Sequence, residues 1–255
     1  MPEKSHETIV QGQFGPQAQV YLESAVHAQG EDLERMVRAI GPRPGARVLD
    51  LGCGGGHVGF RLSALVGEVV AFDLSDAMLE VVAAEATRRG LNNLTTRQGF
   101  VEALPFPDAS FDVVASRYSA HHWRDFEAGL AEARRVLKPD GLAVWVDVIS
   151  PDSSLLDSWL QTLELLRDPS HVRNYSVDQW SQAAKAAGFL PGGTSLFRVH
   201  LEFAAWVQRM KTPEAHVLAI RSMQTRASAD VARHFGIESD GSFTLDSMLM
   251  CAQAE

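Results

Sequence analysis

The sequence has only two cysteines, Cys53 and Cys251, in no repeated spacing, so it carries no cysteine framework and a reducing cytoplasm is the expected setting. No apolar run approaches the roughly 20 residues needed to cross a bilayer, which excludes a membrane span. The opening MPEKSHETIV lacks the apolar core of a signal peptide. Positive charge is short as well: 23 Lys and Arg stand against 32 Asp and Glu, a net charge of -9, with no basic run. Such a chain is not built to neutralise a phosphate backbone, and nucleic acid is excluded as a partner. Internal repeats and low-complexity tracts are missing too, which removes solenoids and linkers. What is present is an apolar fraction of 45% over 255 residues, enough to bury the core of one α/β domain without help from a partner. The expectation is a soluble monomer or homodimer.

Residues 16 to 40 read as two helical segments broken near Gly30, closed by Pro42 and Pro44. Short apolar runs then alternate with amphipathic ones: strand 46–51, helix 57–66, strand 68–73, helix 76–89, strand 94–98, strand 111–116, helix 125–137 and strand 142–148. That alternation predicts a parallel sheet wrapped by helices, with a nucleotide-binding core over 41–150. Beyond it come helices near 153–166 and 177–187, a strand near 194–202, helical stretches over 203–235 and a last strand near 243–253. The chain divides into an N-terminal helical part, 1–40, the core, and a C-terminal part of the same domain, 151–255.

The stretch VLDLGCGGGHVGF holds two overlapping glycine patterns, Asp50-x-Gly52-x-Gly54 and Gly54-x-Gly56-x-x-Gly59. Either one bends the chain after the first strand and brings backbone close to a ligand. A dinucleotide loop aims a helix N-terminus at a pyrophosphate, and a carboxylate two residues before its first glycine is costly in a buried strand. Asp50 occupies that place. It suits a ligand with positive charge near the loop, such as the ammonium and sulfonium of S-adenosyl-L-methionine. The second strand, VVAFD, ends in Asp73, placed to accept from two ribose hydroxyls, a feature common to both cofactor types.

DLGCGGG, FDLSDAML, EALPFPDASFDVV and RVLKPDG, in this order over Arg47 to Val148, resemble a class I S-adenosylmethionine-dependent methyltransferase of the branch similar to ubiquinone/menaquinone-biosynthesis C-methyltransferases. QFGPQAQVYLESAVHAQGEDL resembles the helical lid of a bacterial group within it. The resemblance implies a Rossmann-like seven-stranded sheet, mostly parallel with an antiparallel last strand, with the cofactor across its C-terminal edge. It implies that Gly52, Gly54 and Gly56 line the methionine part, that Asp73 holds the ribose, and that Leu74 and Met78 pack on the adenine. The family's usual Gly-Asp-Ala-Glu is here Gly99-Phe100-Val101-Glu102. Phe100 cannot accept the adenine amino hydrogen bond, so recognition falls to backbone near Phe100 and Val101 with apolar packing, unless Phe100 is an ordinary core aromatic.

SRYSAHHW follows the fourth strand. Ser116 and Arg117 are expected beside the cofactor's amino-acid end, the backbone of one of them facing its ammonium; Arg117 alternatively binds an acidic acceptor. His121 and His122 are the general-base candidates, with only one expected to face the site, or else both pack under Trp123. Tyr21 and His27, about two helical turns apart, close over the same ligand, or Tyr21 is a core anchor and His27 solvated. HVRNY, 171–175, reads as a polar surface loop, and Asp147 ends the fifth strand. No cluster specifies a metal. The segment 203–235 carries an apolar stripe, Phe203, Trp206, Val207, Met210, Val217 and Ile220, that serves as a cap over a hydrophobic acceptor pocket, as core, or as both.

An Asn/Asp/Ser-Pro-Pro-aromatic segment and a Pro-Cys nucleophile, expected of nucleic-acid methylating enzymes, are missing. The leading reading is a methyltransferase moving the methyl of S-adenosyl-L-methionine to a small-molecule acceptor. The alternatives are a non-catalytic S-adenosylmethionine-binding protein and an NAD-dependent oxidoreductase.

Overall fold

The computed structural model describes residues 5–23 and 30–255. Its centre is a seven-stranded sheet with the strands in the order β3-β2-β1-β4-β5-β7-β6. Five strands run parallel: β1 (Arg43–Leu51), β2 (Val66–Asp73), β3 (Leu94–Gln98), β4 (Phe111–Arg117) and β5 (Leu137–Val148). The last strand, β7 (Phe243–Ala254), inserts antiparallel between β5 and the outer β6 (Phe189–Leu201). The chain reverses at β1, whose Val48 sits level with Val69 of β2 on one side and Val113 of β4 on the other. At such a crossover the connecting loops diverge and leave a crevice above the C-terminal strand ends, where open α/β sheets bind their ligands.

The sheet is covered on both faces, which is why its central strands read as continuous apolar runs. Leu49, Leu51, Phe72, Phe111 and Trp145 pack on one side; Val48, Val69, Ala71, Val113 and Val144 pack on the other. The helices have local reasons to start and stop. In α5 (Asp76–Arg89) Ser75 caps the first turn and Gly90, at φ 69°, ends the last one. Asp125 caps α6 (Phe126–Val136), and Ser176 with Gln179 forms a capping box on α8 (Val177–Ala186).

At the N-terminus, α1 (His6–Phe14), a 3-10 turn (Gly15–Gln17) and α2 (Ala18–Glu23) lead to α3 (Glu31–Ile40), which buries Leu33, Met36 and Ile40. The expectation that Pro44 closes the helical section is corrected: Gly41, at φ 66°, ends α3, and Pro44 lies exposed in the first residues of β1, where a missing N–H costs little. Helix α1 had no counterpart in the sequence reading, because HETIVQGQF buries no residue fully and has no strong apolar face. Between β6 and β7 lie α9 (Phe203–Arg209), α10 (Glu214–Thr225) and α11 (Ala229–Phe235). They share a third core, Phe203, Trp206, Ile220 and Phe235, with Leu160 and Leu163 of α7 (Ser154–Arg167).

Candidate active site

The loop after β1 is the floor of a cleft of about 1100 Å³, part of it open to solvent. Gly52, Gly54 and Gly56 have φ of 70°, 48° and 79°, a left-handed backbone that side chains rarely tolerate. Gly52 is also sterically fixed, since a Cβ there would fall 1.9 Å from Ser119 Oγ. Gly52 and Gly54 line the cleft. Gly56 does not, which corrects its expected role: a Cβ there would meet Val82 and Phe60, so it admits close helix packing instead. Gly55 lines the cleft in its place, with the backbone of Tyr21 and Leu22 packed over it so that a Cβ there would fall 3.1 Å from them.

Two carboxylates fix this loop. Asp50, 1% exposed at the end of β1, accepts from Gly59 N at 2.9 Å and so satisfies an orphan amide in the first turn of α4 (His57–Leu62). Burial pushes its pKa up to about 7, with Asp73 adding and Gly59 N–H and Arg117 opposing. Asp73, at the end of β2, accepts from Gly54 N and Ser75 N, each at 2.9 Å. Its pKa is also raised, by burial against those amide bonds. Two of the roughly four acceptor positions of that carboxylate are therefore left for a ligand.

The apolar end of the cleft is made by Leu74, Met78, Phe100 and Val101. Met78 is buried, whereas Phe100 is 47% exposed at the rim, so the core-aromatic alternative for Phe100 is set aside. Helix α1 adds His6, Glu7, Val10 and Phe14, tied down by His6 Nε2 with His122 O at 3.0 Å and by Glu7 with Arg124 at 2.8 Å. His57 Nε2 meets Tyr21 O at 3.0 Å and holds α2 over the glycines. Neither α1 nor His57 was singled out from the sequence; the HV pair after GCGGG is the only signal that His57 offered.

A second cavity, of about 1310 Å³, adjoins the first, and Phe14, Tyr21, Arg117, Tyr118 and His122 line both. Phe14 makes edge contacts with Tyr21 and His122, at 5.6 and 5.0 Å between rings, so the partition between the cavities is aromatic. Tyr118 takes φ 52° there, a rare conformation for a large side chain. Tyr21 donates its hydroxyl to Met210 Sδ at 3.3 Å, and burial raises its pKa. His27 lies outside the described residues.

The expectation that one histidine alone faces the site is corrected: His121 and His122 both line the second cavity, with rings 4.2 Å apart. A short 3-10 turn carries them and sets neighbouring side chains about 120° apart, not on opposite sides as in a strand, so both border one cavity. Their environments differ. His121 Nδ1 meets Asp147 Oδ1 at 2.6 Å, and Asp147 is fixed further by Ala120 N at 3.0 Å and Val148 N at 2.8 Å. Burial works to lower the His121 pKa, but the charge and hydrogen bond of Asp147 outweigh it, with Glu164 and Asp168 adding, and the net shift is upward. His122 Nδ1 faces Ser170 O at 3.1 Å; burial and the charge of His121 push its pKa down to about 4.

Ser116 and Arg117 are not brought together. Ser116 is buried and lines neither cavity, because alternate strand side chains take opposite faces. Arg117 lines both and is paired with Asp32 of α3, which counters its expected freedom to bind an acidic acceptor. The polar surface loop expected at 171–175 is also corrected: His171 is 6% and Asn174 1% exposed, and Asn174 lines the second cavity. The loop is drawn inward by Gln161 of α7, whose Oε1 meets His171 Nε2 at 2.9 Å and accepts from Asn174 N at 3.0 Å. Of the 203–235 stripe, Trp206 and Met210 both pack inward and line the cavity. Among the described residues no helix is long and apolar enough to cross a membrane.

Residues 49–145, from β1 through β5, match the model of the methyltransferase domain family. A Bacillus subtilis relative, the uncharacterized methyltransferase YcgJ, is 37% identical over 78% of this chain and 79% of its own length. The chain belongs to the methyltransferase domain family. The crystal structure of YcgJ superposes with a TM-score of 0.85, covering 88% of this chain and 97% of that one at 33% identity. YafE of Escherichia coli, an uncharacterized protein, is 48% identical over 77% of this chain and 95% of its own length. A ubiquinone/menaquinone-biosynthesis C-methyltransferase from Shewanella is 37% identical over 63% of this chain and 66% of its length, in line with the resemblance read from the motifs. The family match ends at Trp145, inside β5, so the family's shared part holds the parallel strands β1 to β5 and the glycine loop, while α7 to β7 carry most of the second cavity.

Proposed function

We propose that this methyltransferase domain moves the methyl group of S-adenosyl-L-methionine to a small-molecule acceptor, with the donor in the glycine-floored cleft and the acceptor in the adjoining cavity. The observation that carries the reading is the Asp50 carboxyl buried at the floor of the glycine-lined cleft, since an acid in that place suits a cationic ligand and would oppose a pyrophosphate. The rest of the cleft fits. Gly52 and Gly54 admit close backbone approach, Asp73 keeps acceptor positions for a ribose, and Leu74, Met78, Phe100 and Val101 offer an adenine an apolar slot. A Haemonchus phosphoethanolamine methyltransferase of the same fold was solved with S-adenosylhomocysteine, although at 17% identity the likeness concerns the fold alone.

Bound in the cleft, the donor supplies an electrophilic methyl on a sulfonium. The protein orients the acceptor, excludes water and takes up its proton. Helices α1 to α3 act as a lid: His57 and Gly55 seat α2 on the loop, and Phe14 and Tyr21 stand at the partition. Helix α9 caps the acceptor cavity through Trp206 and, just past its end, Met210, with α10 and α11 packed behind in the same core. His121 is the base. Asp147 binds its Nδ1, which leaves Nε2 to accept the acceptor's proton, and the carboxylate stabilises the imidazolium that results. His122 stays neutral beside it and positions the ring.

Calorimetry with S-adenosylmethionine and with NAD tests the donor, and methyl-transfer screening tests the chemistry. Micromolar binding of the first and none of the second is expected, with His121→Ala lowering turnover about 10²- to 10⁴-fold at unchanged donor affinity. Binding without transfer to any acceptor would support a non-catalytic binding protein instead.

A further inference from the structure

The second cavity is amphiphilic, and one of its arginines has no ion-pair partner among the described residues. Phe197, Leu201, Trp206 and Met210 give it an apolar wall. Four arginines also line it, and three of them are neutralised: Arg117 by Asp32, Arg167 by Glu164 at 3.4 Å and Arg198 by Asp246 at 3.0 Å. Arg209, the last residue of α9, is half-buried in the same wall and makes no hydrogen bond or ion pair among the described residues. Its pKa is lowered, by burial first and by Arg167 second. A guanidinium placed this way has five unused donors in a planar fork, and a carboxylate beside it would offset the cost of burying its charge.

Two further side chains on this cavity are left unsatisfied. Asn174, 1% exposed, has no partner for Nδ2, although its backbone is bonded to Gln161 on both sides. Asp168, also 1% exposed, is held through Oδ1 by Ser170 N at 2.8 Å and Ser170 Oγ at 2.5 Å, and its Oδ2 has no partner. Buried polar atoms without partners are few in folded proteins, so a donor and an acceptor orphaned in one cavity mark a binding surface for a polar group that both gives and takes a hydrogen bond. A hydroxyl does both.

Resting on the small-molecule methyltransferase reading, we propose that the acceptor is an amphiphilic hydroxylated monocarboxylate, its carboxylate held by the fork of Arg209 and its hydroxyl by Asn174 and Asp168. The pairing pattern favours a monoanion. Arg209 is the one lining arginine without an ion-pair partner among the described residues, and a phosphate dianion would bring a second negative charge toward Asp168 and Glu164 without a counter-ion. A planar carboxylate also matches the guanidinium fork with two parallel bonds.

The test uses the full chain with its donor site filled by S-adenosylhomocysteine, and 4-hydroxyphenylacetate and 10-hydroxydecanoate as probes, each against its methyl ester, with phenyl phosphate as the dianion. Titration calorimetry on wild type, Arg209→Met and Arg209→Lys is read together with S-adenosylmethionine affinity. At least one acid is expected to bind about tenfold or more tightly than its ester, and Arg209→Met to erase that preference while leaving donor affinity unchanged. Arg209→Lys should retain part of it, since charge survives without the fork. With a turned-over acid, Arg209→Met should raise KM far more than it lowers kcat. Equal affinity for acid and ester, an acid preference that survives Arg209→Met, a preference for phenyl phosphate, or no binding of either acid overturns the proposal. A wild-type chain that ignores S-adenosylmethionine but shows the Arg209-dependent acid preference refutes the methyl-transfer reading and not this one. Arg209→Met is expected to fold, because no hydrogen bond among the described residues is lost; the wild-type acid and ester comparison decides independently of it.

Discussion

Replacing Asp50 with asparagine separates what this carboxylate does for the fold from what it does for the ligand. In the unliganded protein its pKa stands at about 7 against an ordinary 3.8, a difference worth about 4 kcal/mol, undiminished by solvent at 1% exposure. Between pH 4 and 7 the native state keeps the proton that the unfolded chain releases. The native state thus binds more protons, and stability falls as pH rises through that window. Asparagine keeps an oxygen for Gly59 N and cannot ionise. Urea unfolding of both proteins from pH 4 to 8 should show a stability difference near zero at pH 4, growing to about 4 kcal/mol in favour of Asp50→Asn by pH 8. Other titrating groups cancel in that difference. Donor binding should show the reverse: the wild type gains up to about tenfold in S-adenosylmethionine affinity per pH unit between 5 and 7 as the carboxylate ionises, and Asp50→Asn binds weakly at every pH. A stability difference that stays flat across pH would refute the buried, proton-holding carboxylate. A donor affinity equal to wild type at pH 8 would remove Asp50 from ligand recognition.

Three further substitutions probe the two cavities. Asp73→Ala loses a ligand acceptor together with the bond to Gly54 N, and donor affinity measured by calorimetry should fall by about 1.5 to 3 kcal/mol with the fold retained. Asp147→Asn withdraws the charge that raises the His121 pKa, so the acid limb of the kcat profile should move to lower pH while kcat falls; an unmoved limb would dissociate the pair. Phe100→Asp places at the cleft rim the carboxylate that the motif resemblance implies for this position, and at 47% exposure it should leave Tm unchanged and donor affinity equal or tighter. A collapse of Tm in that variant would place Phe100 in the core after all.

The glycine-floored cleft was legible in the sequence because its determinants are local. Strand, glycine turn and helix lie within Val48 to Leu62, Asp73 ends the next strand, and each role follows from position along a short stretch. Backbone conformation and strand-end placement are set by neighbours in the chain, so a motif in order is enough. Gly55 and Gly56 exchanged roles because the direction of a turn residue depends on what packs above it, here α2 and Val82. The second cavity was decided by tertiary structure. Nothing near SAHHW announces Asp147, 26 residues away, as the partner that raises the His121 pKa, and nothing in HVRNY shows that Gln161 pulls Asn174 out of solvent. Arg209 reads in sequence as the solvated end of a short helix; only the pairing of the other three cavity arginines makes its charge unmatched. Charge balance and burial are sums over groups far apart in the chain, and they acquire values only when the fold brings those groups within a few ångströms.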